Sequence, residues 1–329
     1  MINLTKKLPT NTYLFNAMGK DKFYNDIKNN RLPWSPYAKE YWQRLYNLHH
    51  IRLDNNFSTE LANDSFSRLW ELTGVDFLDA HINRGLNIIN LTPTTSIPDF
   101  CFDLQGNRFY KEMICIGAGN SPELNFLIEE VSGKARRTPQ VEYKERLCAA
   151  IHEKGHSKYY GIKTCGYKCT MEHDSGLLIA ISLAKIAFHN QPRNIYVDLS
   201  CLFGISPMKI PLNPVQNHYA MGSPFHDYQS GFMKKSNIKS GQQGAIIKND
   251  YFASDKYKHI SAILLSHTGL SFYPDIDKHV DNCHWGKQRN DFILIHNPFA
   301  KTSLPKGFFN VTNEITAIID KNGDIKINF

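Results

Sequence analysis

The sequence predicts a mixed α/β fold, a sheet flanked by helices, with a helical extension at the N-terminus. Three observations predict it. Residues 97–116 read as a β-hairpin, residues 176–186 form one continuous apolar run (GLLIAISLAKI), and apolar β-type strings return after residue 258. A strand buried on both faces reads as an unbroken apolar run, whereas a helix spaces its apolar residues three and four apart. The 329 residues, 42% of them hydrophobic, suffice for a sizeable core in one large or two smaller domains.

The elements follow in order. Residues 1–58 are aromatic and basic, with Trp34, Tyr37, Tyr41, Trp42 and Tyr46 at partly helical spacing, and form the expected N-terminal helical extension. Residues 59–200 form the expected α/β core. It opens with SFSRLWELTGVDFLDAHINRG, where Phe66, Leu69, Trp70, Val75, Phe77, Leu78 and Ile82 follow helical spacing. Ser65 is positioned to cap that helix and Gly85 to stop it. The hairpin comes next: Ile97–Leu104 alternates, Gln105-Gly106-Asn107 is turn chemistry, and Arg108–Ile116 is the second strand. QVEYKERLCAAIHEKGHSKYYGI then places Val141, Leu147, Ala150 and Ile151 on a helix, with Arg146 and Lys154 on one face. Residues 195–199 read as a strand or the start of a helix. Residues 201–258, rich in Pro, Gly, Asn and Ser, are expected to be a loop-rich insertion. Residues 259–329 return to strands (HISAILLS, DFILIHNP, FFNVT, KINF) that extend the same sheet.

The hairpin carries the chemistry. Asp99 precedes its first strand and Glu112 lies along the partner, so the two carboxylates can converge. Converging carboxylates suit Mg²⁺, a hard cation that takes oxygen ligands. Such an ion beside a phosphodiester activates water and stabilises the leaving oxygen. The plainer reading is an Asp at a strand start and a Glu on a solvated face. Glu71 and Arg68 sit among the apolar residues of the first core helix, where an unpaired charge is costly; a simple i, i+3 ion pair would also account for them. Lys154 is either a cation pointed at the hairpin or part of a basic helix face turned to water.

The order of these parts resembles the PD-(D/E)XK, or restriction-endonuclease-like, nuclease superfamily, over roughly residues 60–185. A Glu-bearing helix precedes an Asp on one strand and an acidic residue on its partner, and a helix with cations follows. The resemblance implies that Asp99 and Glu112 bind Mg²⁺ (or Mn²⁺), that Glu71 supports the site, and that a lysine orients or activates the attacking water. That lysine belongs two residues after Glu112, where this chain has Ile114. In some members of the superfamily the next helix supplies it, and Lys154 is the candidate here. Lys111 neighbours Glu112 and so points to the opposite face of the strand. Arg146 and Lys158 are the candidate substrate contacts. The string through GLLIAISLAKI, HISAILLS and LIHNPFAKTSLP is similar to uncharacterised bacterial proteins with a nuclease-like core. The resulting expectation is a metal-dependent endonuclease acting on nucleic acid, DNA first. A catalytically inactive nuclease-like fold that binds nucleic acid or a protein is the alternative, and a structural protein whose hairpin carboxylates pair with Lys and Arg is a third.

Composition fits this reading. The formal net charge is +7, and Lys134, Arg136, Arg137, Lys144, Arg146, Lys154, Lys158, Lys163 and Lys168 crowd the stretch after the hairpin, where a phosphate backbone would need them. Lys234, Lys235, Lys239 and Lys248 lie in a segment that reads as a surface loop, for nucleic acid or for solubility. No apolar run is long enough for a membrane span, and MINLTKKLPTNTYLF lacks a signal-peptide core. Seven cysteines, an odd count, suit a reducing cytoplasm. Cys165, Cys169 and His173 lack a fourth ligand at zinc-site spacing. The Gly117-Ala118-Gly119 exit from the hairpin lacks the lysine of a phosphate-binding loop.

Overall fold

Strand periodicity and continuous apolar runs become one sheet in the computed structural model. It describes residues 13–33, 35–79, 87–90, 98–117, 119, 140–157, 174–186, 195–204, 212–215, 218–221, 237–239, 246–248, 250–266, 292–311, 313–321 and 325–328. The helices are α1 (Lys22–Lys28), α2 (Ser35–His49), α3 (Phe57–Leu61), α4 (Ser65–Asp79), α5 (Gln140–His152) and α6 (Ile195–Phe203). The strands are β1 (Asn87–Asn90), β2 (Phe100–Leu104), β3 (Asn107–Gly117), β4 (Gly176–Lys185), β5 (Leu212–Val215), β6 (His218–Met221), β7 (Asn237–Lys239), β8 (Ile246–Lys248), β9 (Ile260–Ser266), β10 (Phe292–His296), β11 (Asn313–Ile319) and β12 (Ile325–Asn328). Eight of them form a mixed sheet in the order β1-β2-β3-β4-β9-β10-β11-β12. β1, β2 and β3 run antiparallel in turn, and β3, β4 and β9 run parallel. The C-terminal strands therefore extend the sheet that the hairpin starts.

The alternation along each strand separates two cores. Phe100, Phe102, Phe109, Leu178 and Leu264 face α4 and the N-terminal helices, where Leu69, Trp70, Leu72 and Phe77 meet them. Tyr110, Leu177, Ile179, Ile181 and Ile263 face the other way, against Leu147 and Ile151 of α5 and Leu199 of α6. β4 and β9 are buried throughout or nearly so, as strands covered on both faces must be. Trp70 joins helix to sheet by donating its indole N–H to Ala180 O at 3.1 Å.

The hairpin turn is tight. Leu104 pairs with Asn107, and Gln105 and Gly106 between them both have positive φ (51° and 78°), the geometry that matches the twist of the flanking strands. At the same end of the sheet β4 starts close-packed, with Gly176 opposite Phe109: a Cβ on Gly176 would lie 2.1 Å from Ser261 Oγ and 2.8 Å from Phe109 Cδ1. Gly176→Ala is expected to cost about 1–3 kcal/mol, the range for overpacking a core. Urea denaturation checks this, and an unchanged midpoint would contradict it.

Four details depart from the sequence reading. Asp64, not Ser65, caps α4: its Oδ1 accepts the Ser67 N–H at 3.3 Å, while Ser65 donates its hydroxyl to Asp21 Oδ1 at 2.7 Å. β1 was not expected from Asn-Ile-Ile-Asn, which is too short to show a period. FFNVT is not a strand. Phe308, Phe309 and Val311 are buried in the core without strand pairing, and the strand begins at Asn313. Lys239 and Lys248 lie not in a loop but in a two-stranded ribbon, paired through Asn237↔Lys248 and Lys239↔Ile246. Residues 195–199 begin a helix, where the apolar stretch Ile195–Phe203 was ambiguous. Lys158, the Cys165–Cys169–His173 group and the rest of the basic stretch beyond Ser157 lie outside the described residues.

Candidate active site

The site is built where β3 outruns β2. The antiparallel register ends at Phe100↔Lys111, yet β3 continues to Gly117. Asp99, one residue before β2, caps the edge so exposed: its Oδ2 accepts the Met113 N–H at 2.6 Å. Continued by one step, the same register sets Asp99 opposite Glu112, and directly opposed residues of an antiparallel pair project to the same face. Phe100 and Lys111 project to the other face, toward α4.

Lys154 comes to this pair from the α5 side. Its Nζ lies 2.6 Å from Glu112 Oε1, and both side chains are largely buried. The route differs from a simple continuation of α5. The α-helix ends at His152, and Glu153–Ser157 forms a π-helical turn. Such turns are rare and shift the face that a side chain presents. This one is pinned at Gly155, whose carbonyl accepts from His259 Nε2 at 2.5 Å. A Cβ on Gly155 would lie 2.7 Å from Ile260 Cδ1, so a larger residue there would have to displace the tip of that side chain.

Glu71 comes from α4, on the opposite face. Arg68 Nη1 bonds its Oε2 at 2.6 Å. The i, i+3 pair foreseen as the plainer reading is therefore present, but within a larger cluster. Arg68 Nη2 also lies 2.5 Å from Glu60 Oε2, and Nη1 lies 3.6 Å from Asp54 Oδ2. Those two carboxylates were not anticipated, because nothing in sequence spacing ties residues 54 and 60 to residue 68.

Asp99 feels both other carboxylates. Burial pushes the Asp99 carboxyl well above the usual range, Glu112 and Glu71 push it further, and the Met113 amide and Lys154 oppose them. Burial likewise raises Glu71 to about 7, against the pull of Arg68 and with the push of Asp54. Lys111 lies behind the site on the α4 side, fully buried. Its Nζ lies 3.4 Å from Gly74 O and over the rings of Phe77 and Phe309, at 5.4 and 5.8 Å. Burial lowers its pKa to about 7, and the charge of Asp99 opposes that drop. Its burial was not foreseen, since lysine is seldom fully buried.

Arg146, from α5, meets β3 at its far end. Its Nε donates to Gly117 O at 2.8 Å, and the guanidinium packs so closely on Gly119 that a Cβ there would meet Arg146 Cζ at 3.0 Å. Gly119, with φ at 61°, and Gly117 thus receive the arginine at the exit of β3. The structure brings Lys154 to Glu112, sets Asp99 opposite Glu112 by the strand register, leaves Glu71 on the α4 side with Arg68, and places Arg146 at the end of β3.

The carboxylates here offer oxygen donors, and burial with acidic neighbours holds Asp99 toward its protonated form. That is a setting a hard divalent cation relieves. Among the described residues no group of three His, Cys, Asp or Glu is arranged to hold a metal ion. Mg²⁺ needs fewer: it usually keeps several waters and takes one or two carboxylates. Asp99 and Glu112 fit that requirement. Among the described residues no helix is long and apolar enough to cross a membrane. Compared with family models, curated proteins and solved structures, the chain matches none.

Proposed function

We propose that this protein is a divalent-metal-dependent nuclease of the PD-(D/E)XK type, cutting phosphodiester bonds of nucleic acid, with DNA as the first substrate and the cytoplasm as the place of action. One observation carries the reading. A lysine is missing from β3 at Ile114, and Lys154 delivers an ammonium to Glu112 from the element that follows, at 2.6 Å. A lone structural ion pair does not require a rare π-helical turn.

Asp99 and Glu112 would hold Mg²⁺ or Mn²⁺, which when bound polarises a phosphoryl oxygen and acidifies water. Lys154 orients the attacking water and offsets negative charge as it develops on the phosphate. Glu71 supports the site from the α4 side. Arg146 meets a flanking phosphate, its approach made easy by Gly117 and Gly119. Lys158 remains a second candidate contact.

A catalytically silent nucleic-acid or protein binder is the second reading. It is favoured by the ion pairs themselves, since Lys154 already neutralises Glu112 and Arg68 neutralises Glu71. Incubation of the purified protein with DNA and Mg²⁺ or Mn²⁺ separates the two. Cleavage that EDTA stops supports the nuclease, and metal binding without cleavage of DNA or RNA supports the silent fold.

The crowded carboxylates also predict a pH signature. Asp99 and Glu71 have folded-state pKa values raised above the unfolded ones. Their contribution to stability is therefore fully present below the unfolded carboxyl range and is lost as pH rises through about 7 for Glu71. Lys111, with its pKa lowered to about 7, acts in the opposite sense only above that pH. Without metal, the melting temperature should fall from pH 5 to pH 7. Metal binds the ionised carboxylates, so Mg²⁺ or Mn²⁺ at ten times its dissociation constant should restore about 2–4 °C at pH 7.5 and almost nothing at pH 5. Thermal melts by circular dichroism measure both, and equal metal effects at the two pH values would argue against the site.

A further inference from the structure

A lysine carries its charge on a flexible four-carbon stem, so holding the ammonium in one place requires a fixed backbone beneath it. Beneath Lys154 that backbone is not an α-helix. α5 is held near its end, where Tyr251 donates its hydroxyl to Cys148 O at 2.9 Å. Lys154 lies beyond that end, in the π-helical turn, and the next residue is Gly155, the residue type with the greatest backbone freedom. The turn is fixed from outside, by His259 just before β9. A carbonyl only accepts, so His259 Nε2 carries the proton in its 2.5 Å bond to Gly155 O.

The segment that bears His259 is held at four carbonyls in a row. Asn297 Nδ2 donates to Tyr257 O at 3.0 Å and to Ile260 O at 2.8 Å. Lys301 N donates to Lys258 O at 2.7 Å, and Leu177 N to His259 O at 2.9 Å. Asn297 is itself buried, and its Oδ1 accepts the Phe299 N–H. We infer that His259 is a positioning residue: its imidazole N–H holds the Gly155 carbonyl, and the turn so held sets the Lys154 ammonium against Glu112. The line of contacts is continuous. It runs from Asn297 to the 257–260 segment, from the imidazole to Gly155 O, and from the neighbouring Lys154 Nζ to Glu112 Oε1 at 2.6 Å. In this role His259 touches neither metal nor substrate. The inference rests on the nuclease reading and adds to it that the C-terminal strands, besides extending the sheet, hold the activating cation.

Two amide variants of different reach test this. His259→Gln keeps an N–H donor at the distance of Nε2, whereas His259→Asn is one methylene shorter and leaves Gly155 O without it. His259→Asn should lower kcat for DNA cleavage about tenfold or more, the order expected when a catalytic group is misplaced rather than removed. KM should stay within about twofold, because His259 makes no substrate contact. His259→Gln should recover most of the loss. In the Lys154→Met background His259→Asn should cost less than about twofold, the non-additivity of residues that work as one unit. Calorimetric titration with Mn²⁺ gives a second readout that needs no cleavage. Freeing Glu112 from Lys154 should tighten Mn²⁺ binding about threefold or more in His259→Asn, and change nothing where Lys154→Met is already present. Should His259→Asn fail to fold, His259→Phe keeps a ring against Tyr257 and removes the donor. Equal losses of kcat in both backgrounds, or wild-type kcat and Mn²⁺ affinity in the donor-less variant, would overturn the inference and leave the nuclease reading intact. A wild-type protein that binds Mn²⁺ without cleaving overturns the nuclease reading, and the Mn²⁺ titration then decides the inference alone. A wild-type protein that does neither overturns both.

Discussion

Asp99→Asn should abolish metal-dependent cleavage and yet leave the protein as stable as the wild type, or more so, at pH 7.5. The loss in rate should be on the order of 10³-fold, because in the proposed mechanism the variant would take a charged ligand from the ion that would activate water and stabilise the leaving oxygen. The gain in stability follows from what Asp99 endures. Its carboxyl is held well above the ordinary range by burial and by Glu112 and Glu71. An asparagine relieves that repulsion. Its side-chain oxygen can still accept the Met113 N–H that Asp99 Oδ2 accepts at 2.6 Å, so the edge of β3 remains capped. A function-bearing site that costs stability is the usual trade. Cleavage kinetics and thermal melts on one preparation read both effects. Wild-type cleavage by Asp99→Asn would remove Asp99 from the site. Lost cleavage accompanied by a large drop in melting temperature would instead assign Asp99 a structural role at the strand edge.

The sheet was legible because its strands obey simple rules. β4 is a run of apolar residues with nothing to interrupt it, and β2 and β3 alternate on either side of a Gly-containing turn. That Asp99 and Glu112 could converge was legible in the hairpin, but the register was not: Asn107 reads as turn, whereas it opens β3 opposite Leu104, and that shift of one residue sets Glu112 rather than Met113 opposite Asp99. What the sequence concealed depends on contacts between distant segments. Lys111 reads as one more charged residue on a strand, and only the packing of Phe77, Phe309 and Gly74 over it shows that it is buried. Asp54 and Glu60 read as surface acids of a helical extension until that extension folds back on Arg68. The π-helical turn was hidden because helical periodicity fits Arg146, Ala150 and Lys154 equally well without it. Its one signal was Gly155, a residue that helices tolerate poorly.

The lysine is the sharper test of mechanism, since Asp99 would matter in any metal site. Lys154→Met should cost roughly 10²-fold or more in cleavage rate, the loss expected for one preorganised charge at the reacting group. Metal binding should survive and even tighten, because the variant removes a cation 2.6 Å from Glu112 Oε1 and leaves that oxygen to the ion. Affinity and rate thus move in opposite directions, which no general unfolding produces. The position of the lost charge can be tested by moving it back. Ile114 stands two residues beyond Glu112 on β3, on the same face, and packs beside the core that α5 covers. Ile114→Lys in the Lys154→Met background places an ammonium where the superfamily pattern has it, and should recover a measurable part of the lost rate. Lys111→Met, on the opposite face, should change cleavage far less than Lys154→Met, since its ammonium lies among Phe77, Phe309 and the Gly74 carbonyl. Isothermal titration with Mn²⁺ and single-turnover cleavage supply the measurements. If Lys154→Met cleaves at the wild-type rate while Lys111→Met does not, the activating cation comes from behind the strand, and the π-helical turn serves only to bury Glu112.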